Sequence, residues 1–232
     1  GNNLGFSKAL DDSADIIIAI NNDTLVKEDF FEKVLSSPIN KPEVGAIGGL
    51  IYFAPGFEFK DQYKKNEIGK VVWYAGGKFD WDNVLGSNDH VDEVDHGQFK
   101  KPEETAFITG ALFITKGEVL RKVGLFDDHY FMYLEDVDLC QRIKLAGFKL
   151  IFDPNIKIWH KVAQASGIGS SLNDYFITRN RLLFGFKYTH FRTKFALFRE
   201  AIRKLITGTS AQRTAILDFF SGRLGNGSFV KG

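Results

Sequence analysis

Cysteine is nearly absent from this chain. Cys140 stands alone among 232 residues, so no internal disulfide can form, and the usage fits a reducing compartment. Long apolar runs are also missing. A stretch such as Ile16-Ile17-Ile18-Ala19-Ile20 is far shorter than the ~20 residues that cross a bilayer. The sequence opens on no secretory signal. Neither sign of charge dominates: 30 Lys and Arg face 29 Asp and Glu, a formal net of +1, which gives no global reason to expect nucleic acid as a partner. A P-loop, a dinucleotide-binding fingerprint, a Cys/His zinc cluster and a G-x-S-x-G nucleophile elbow are all lacking. Asp127-Asp128 is not an EF-hand loop, because the alternating ligands and central glycine are missing. These absences predict a cytoplasmic protein, peripheral at the inner face of the plasma membrane if it meets a membrane at all.

What is present is ordinary for a globular chain with a real core: 44% hydrophobic, 14% aromatic and 25% charged residues. The length allows one sizeable domain, or one domain with an appendage. Asp15 to Ile20 is a continuous apolar run that reads as a buried strand of the parallel kind, ending in the polar cluster Asn21-Asn22-Asp23-Thr24. Phe30, Phe31, Val34 and Leu35 are spaced as on a helix over 27–35. Val44 to Phe53 reads as a second strand, with Gly48-Gly49 marking a bulge or a close backbone approach. The stretch 55–102 reads as short strands in a long excursion of the kind that carries function. Ala106 to Thr115 reads as a strand interrupted at Gly110, and Lys116 to Val123 as a short helix stopped by Gly124. A helix is expected from Glu135 to Ala146, with Gly147 as its stop, then a strand ending at Pro154. Alternating helix and strand signals make the class α/β, without internal repeats or low-complexity segments.

Three groups could carry chemistry. Asn22-Asp23 follows the first strand, where ligands of open α/β sheets bind, and a carboxylate there can hold a divalent cation and through it a diphosphate. The structural alternative is a helix cap or an ordered turn. The second group is acidic: Asp127, Asp128, Glu135, Asp136 and Asp138. Glu135 and Asp136 open a helix, whose dipole favours the ionised form, and an ionised, partly shielded carboxylate can accept a proton from an alcohol. Acidic decoration of a helix start is the alternative, although three carboxylates at 135, 136 and 138 exceed what capping needs, and they emerge from the greasy segment Tyr130-Phe131-Met132-Tyr133-Leu134. The third is His160. A neutral imidazole can join a carboxylate on a metal, with Mn²⁺ more tolerant of nitrogen than Mg²⁺. Otherwise it is a hydrogen-bonded core histidine.

Taken in order, these segments resemble the family-two glycosyltransferases of the GT-A fold, particularly their bacterial rhamnosyltransferase-like branch. The resemblance is carried by Asn3-Leu4-Gly5-Phe6, Ile20-Asn21-Asn22-Asp23-Thr24, Thr109-Gly110-Ala111, Gly124-Leu125-Phe126-Asp127 and Phe131 through Cys140. Arg142, Ala146-Gly147, Pro154, His160, Ser166-Gly167 and Tyr175-Phe176-Ile177-Thr178-Arg179-Asn180-Arg181 continue it. The resemblance implies a mixed sheet flanked by helices over 1–186. It implies that Asp23 is the last acid of a metal-binding D-x-D element written here as Asn21-Asn22-Asp23, and that His160 is the second protein ligand to Mg²⁺ or Mn²⁺. Asp136 would be the catalytic base, with Glu135 orienting the acceptor. Asn22, Asp23, Thr109, Gly110, Ala111 and Arg179 would line the donor and acceptor pocket. The implied reaction is one inverting displacement from a nucleotide-sugar donor, dTDP-rhamnose or a UDP-hexose, onto a saccharide or lipid-linked saccharide. The strand and loop with which the family holds the nucleobase and ribose would precede Asn3, and Gly5 to Asp15 is shorter than the family pattern. A nucleotidyltransferase on a similar sheet would want a glycine-rich basic loop. An inactive carbohydrate-binding or scaffolding domain would not need Asp23, Asp136 and His160 together.

The stretch 187–232 is expected to form a basic, amphipathic helical extension. Phe191, Phe195, Phe198, Ile202 and Leu205 repeat at helical spacing, and from Lys187 to Arg213 seven Lys or Arg accompany one acid, Glu200. Such a helix either lies on an anionic membrane surface or packs on the catalytic domain with its cations in water.

Overall fold

The computed structural model describes residues 1–58, 60, 63–162 and 170–229. The chain divides into two units, one from Gly1–Lys78, Ser87–Phe126 and Leu139–Val162, the other from Phe79–Gly86, Asp127–Asp138 and Ala163–Gly232. The Ser166-Gly167 pair of the resemblance lies outside the described residues.

The first unit is built on a mixed sheet flanked by helices, the α/β architecture expected. Its main path runs β1 (Ile16–Ile20), β8 (Leu112–Lys116), β3 (Val44–Phe53), β9 (Lys149–His160) and β2 (Thr24–Val26). Short strands β4 (Val72–Tyr74) and β7 (Glu103–Glu104) add to β3 and β9. Between them in sequence, β5 (Gly77–Asp80) and β6 (Leu85–Asn88) form a separate two-stranded ribbon, whose Phe79–Gly86 stretch belongs to the second unit. Helices α1 (Asn2–Asp11), α2 (Phe30–Ser36) and α3 (Gly117–Val123) pack against β1, β9 and β8 respectively.

Every residue of β3 is buried, which is why its sequence is apolar without alternation. It runs parallel to β9, with Ile47 opposite Ile151 and Phe53 opposite His160. The expected close approach occurs at Gly49, where a Cβ would sit 2.5 Å from the carbonyl oxygen of Ile156. The register slips at the same place: Gly49 faces Asp153, but Leu50 faces Lys157. Pro154 therefore does not end the strand. It lies in a bulge of β9, where its missing N–H costs no ladder bond, and the Asp153 carboxylate accepts from the Asn155 amide at 2.9 Å.

Two other expectations need correction. The apolar run at Ile16–Ile20 is a strand, but it pairs antiparallel with β8 at the end of the main path, and its burial alternates because one face is only partly covered. An apolar run reports burial, not the direction of a partner that arrives ninety residues later. The strand expected from Ala106 starts only at Leu112, because residues 110 and 111 form a turn. The two helix stops are as expected: Gly124 and Gly147 take φ of +82° and +91°, conformations that side chains resist.

The second unit is helical. It includes α5 (Ser171–Tyr188), α6 (Phe191–Thr207) and α7 (Ser210–Phe220), and its core gathers Tyr175, Phe176, Ala211 and Ala215. Ser170 caps α5 through the Asn173 amide, and Thr209 with Gln212 forms a reciprocal capping box on α7. Asp174 fastens that box to α5 by accepting from the Thr209 hydroxyl at 2.6 Å and the Gln212 amide at 2.7 Å. Helix α4 (Glu135–Leu145) contributes its first four residues to this unit and the remainder to the first.

Candidate active site

In the first unit, the polar cluster after β1 is drawn beside the end of β9. The Thr24 hydroxyl donates to the Asn21 carbonyl at 2.8 Å and closes the turn, so that β2 can start at once. The register of β2 on β9 sets Thr24 opposite His160, and the Lys161 amide donates to the Asp23 carbonyl at 2.9 Å. Asp23 and His160, 137 positions apart, thereby meet with Oδ1 and Nε2 3.0 Å from each other. The Asn21 amide lies 3.4 Å from the same Nε2, and the edge of Trp73 packs against the imidazole with ring centroids 4.7 Å apart. Asn22, next to them, is exposed.

His160 is buried, and that burial lowers its pKa against the opposing pull of the Asp23 charge and hydrogen bond. Nε2 and Oδ1 share a proton in this hydrogen bond; once it is given up, the neutral imidazole and the carboxylate offer two lone-pair donors side by side, a set that suits a divalent cation with some tolerance for nitrogen. Adjacent ligands at about 2.1 Å from an octahedral ion lie about 3.0 Å apart, the spacing of Oδ1 and Nε2 here. Among the described residues no group of three or more His, Cys, Asp or Glu could hold a metal. The pair would therefore supply two ligands and leave the other positions to water and phosphate oxygens. The residues present fit the implied metal.

The turn at Thr109-Gly110-Ala111 belongs to the same place. The Ala111 carbonyl accepts from the Asn21 backbone amide at 3.1 Å, and the Thr109 side chain accepts from the Ala111 amide at 3.4 Å. Within the strand expected over 106–115, residues 110 and 111 are thus a turn held at the mouth of β1, beside Asn21-Asn22-Asp23.

In the second unit, Glu135 and Asp136 form the first turn of α4, with Asp136 accepting from the Val137 amide at 2.8 Å. The chain reaches that turn through strained backbone: Phe131, Tyr133 and Leu134 have φ of +64°, +64° and +69°. Glu135 places Oε2 out of solvent with no hydrogen-bond partner among the described residues. Burial, and after it the neighbouring Asp136 charge, pushes its pKa up to about 8. The third acid of the cluster is satisfied: Asp138 is fully buried and accepts from Lys187 Nζ at 2.7 Å, the Tyr188 hydroxyl at 2.8 Å and the Tyr130 hydroxyl at 3.2 Å. Asp127 accepts from His129 at 2.6 Å and Lys187 at 3.2 Å.

Arg179 is fully buried. Its guanidinium donates to the carbonyls of Gly225 at 2.7 Å, Tyr130 at 2.9 Å and His129 at 3.1 Å. The next residue, Asn180, to which the resemblance assigns no role, divides its side-chain amide among the carbonyls of Met132 at 2.7 Å, Tyr130 at 2.9 Å and Tyr133 at 2.9 Å. Arg179 and Asn180 thus grip the segment that delivers Glu135 and Asp136. The structure brings Asn21, Asp23, His160 and Thr109–Ala111 together in the first unit, and Glu135, Asp136 and Arg179 lie in the second.

The family model described as glycosyl transferase family group 2 matches residues 16–222. The N-acetylglucosaminyl-diphospho-decaprenol L-rhamnosyltransferase of Mycobacterium tuberculosis is similar: 34% identical over 158 residues, which cover 66% of this chain and 49% of that protein. Rhamnosyltransferase WbbL of Escherichia coli K12 is 39% identical over 51 residues, covering 22% of this chain and 19% of its own. The chain spans about half the length, 49%, of the mycobacterial relatives it matches. Among solved structures it is similar to GalNAc-T7 with UDP, GalNAc and Mn²⁺, at a TM-score of 0.49 and 16% identity, over 95% of this chain and 44% of that one.

Proposed function

This chain belongs to glycosyl transferase family group 2, and on that premise we propose that it moves a sugar, with inversion, from a nucleoside-diphosphate donor to a hydroxyl of a lipid-linked saccharide. The observation that carries the reading is the Asp23–His160 pair, 3.0 Å apart beyond the end of β1. That spacing suits two neighbouring ligands of one ion as well as it suits a hydrogen bond, and the Asp23 side chain, 29% exposed, stays open to a ligand. Rhamnose from dTDP-rhamnose is the donor we favour, because the mycobacterial relative is named a rhamnosyltransferase. Its name also supplies the lipid-linked acceptor, a saccharide on a polyprenyl diphosphate.

Asp23 and His160 would hold Mg²⁺ or Mn²⁺, which supplies positive charge against the diphosphate leaving group. The residues of the chain do the rest. Asn21, Asn22 and the Thr109-Gly110-Ala111 turn flank the donor. Asp136 takes the proton of the acceptor hydroxyl. The acceptor oxygen forms its bond to the anomeric carbon from the face opposite the diphosphate, and the old carbon–oxygen pair leaves with the nucleoside diphosphate. Glu135, whose raised pKa keeps it protonated at neutral pH, can donate a hydrogen bond to the acceptor from its buried Oε2. Arg179 and Asn180 hold the loop that carries both acids.

The test is a thermal-shift panel of dTDP, UDP and GDP on the full chain, each with and without Mn²⁺. Stabilisation by one nucleotide only when metal is present supports the reading and names the base, since a ligand at a hundred times its Kd adds about 2.7 kcal/mol. No shift with any nucleotide overturns it and favours a scaffolding role.

A further inference from the structure

The apolar stripe expected at Phe191, Phe195, Phe198, Ile202 and Leu205 is helical, but apart from the partly buried Leu205 it faces outward. Helix α6 buries Leu197 and Ala201, while Phe191, Phe195, Phe198, Ile202 and, beside them, Ile206 are 82, 57, 42, 46 and 75% exposed. At about 100° per residue these five side chains fall within about 80° of one another around the helix. The patch extends onto α7, where Phe220 meets Phe198 edge to face at 5.9 Å and both Phe220 and Leu217 are exposed. A contiguous aromatic surface of this kind marks an interaction site.

The charges around it identify the occupant. Arg192, Arg199 and Arg203 lie along one margin of the stripe and Lys194 along the other, and none of the four forms an ion pair among the described residues. The single acid of α6, Glu200, points about 180° away from Phe191, where it binds Arg181 at 2.8 Å and Lys204 at 3.0 Å. A second copy of the chain docked face to face would set these cations against their own images. An anionic bilayer offers the opposite: hydrocarbon at the depth of the rings and negative headgroups at the level of the arginines.

We propose that the outer face of α6, extended by Leu217 and Phe220 of α7, is a docking surface for an anionic membrane, with the phenylalanines entering the headgroup boundary and Arg192, Lys194, Arg199 and Arg203 binding lipid phosphates. The proposal deepens the reading of a lipid-linked acceptor, since it would bring the enzyme to the surface where such an acceptor lies. Vesicle binding, however, needs no donor, acceptor or metal, so the two can fail separately.

The experiment is cosedimentation of the full chain with phosphatidylcholine vesicles containing 30% phosphatidylglycerol, in 50 mM salt, alongside vesicles of phosphatidylcholine alone. Strong binding to the anionic vesicles that weakens in 500 mM salt is expected. The Arg192→Gln/Arg199→Gln/Arg203→Gln variant should lose on the order of a hundredfold in partition. Phe191→Ser/Phe195→Ser should lose at least tenfold; both rings are solvent-exposed, so thermal unfolding and Mn²⁺-dependent nucleotide binding should stay as in the parent. Equal binding to both vesicle types, or arginine variants that bind like the parent, overturns the proposal. So does a chain that ignores vesicles, and if it also elutes as a dimer, the face belongs to a second copy. Vesicle binding without nucleotide binding would leave the surface standing and remove the transferase reading.

Discussion

Asn180 donates its side-chain amide to the carbonyl of Tyr130 at 2.9 Å, and the same nitrogen serves Met132 and Tyr133 within the following turn. Two protons divided over three carbonyls hold a segment whose φ angles at Phe131, Tyr133 and Leu134 are all positive. Without that grip the backbone would relax towards ordinary conformations and carry Asp136 with it. Asn180→Asp should therefore be worse than Asn180→Ala, because it keeps the volume but sets a carboxylate acceptor, in place of the amide donor, against three carbonyl acceptors. We expect kcat to fall at least tenfold in Asn180→Ala with the KM for donor unchanged, and thermal stability to fall by on the order of 1–3 kcal/mol. An Asn180→Asp variant with parental kcat would sink the positioning role.

Asp136 can be tested apart from binding. Replacing a catalytic base by its amide keeps shape and hydrogen bonding but removes the proton acceptor, which typically costs 10²–10⁴-fold. Asp136→Asn should lose transfer on about that scale, measured as release of nucleoside diphosphate in the presence of acceptor. The Mn²⁺-dependent thermal shift with nucleotide should persist, since Asp23 and His160 are untouched. Near-parental turnover would remove Asp136 from its role.

Glu135 predicts a pH dependence of stability with a definite sign. Its pKa rises from an ordinary carboxylate value of 4.5 to about 8 on folding, so between those values the folded chain binds more protons than the unfolded one. Stability from this group is intact below about pH 4.5 and is lost as pH rises towards and through about 8. Glu135→Gln, which cannot ionise, should unfold at a higher temperature than the parent at pH 8.5, by about 2–4 °C for each kcal/mol recovered. At pH 5 the two should nearly coincide. Calorimetry at both values decides it, and a variant less stable at pH 8.5 would show that Oε2 is not the strained group.

The sequence made the strands and stops of the first unit legible where local chemistry dictates them. Val44–Phe53 is apolar because both its faces are covered, and Gly124 and Gly147 sit where only glycine is comfortable. Asp23 and His160 could be nominated singly, by position after a strand and by residue type, but their meeting depends on the β2–β9 register, which no local pattern encodes. The same limit explains β1, whose partner β8 arrives from far along the chain, and Pro154, whose bulge is visible only against β3. Asp138 illustrates the converse. It looked like one more acid of a cluster, yet a lysine and two tyrosines, two of these three about fifty residues downstream, use it as a buried acceptor. Nor does spacing alone reveal that Arg179 and Asn180 spend their donors on backbone carbonyls.

The Asp23–His160 pair makes the sharpest claim about metal preference. If both side chains bind the metal as proposed, losing either should raise the Kd for Mn²⁺ at least tenfold in the presence of nucleoside diphosphate, read by the electron paramagnetic signal of free Mn²⁺ and so independent of turnover. The variants should differ in kind. Asp23→Ala removes the charge and should abolish metal-dependent nucleotide binding, whereas His160→Asp replaces nitrogen by oxygen and should restore binding while moving the preference from Mn²⁺ towards Mg²⁺. The Asn21 amide, 3.4 Å from the imidazole, can approach either side chain. If His160→Asp and His160→Ala bind Mn²⁺ equally well, the imidazole is only a partner that orients Asp23, and the metal rests on the carboxylate alone.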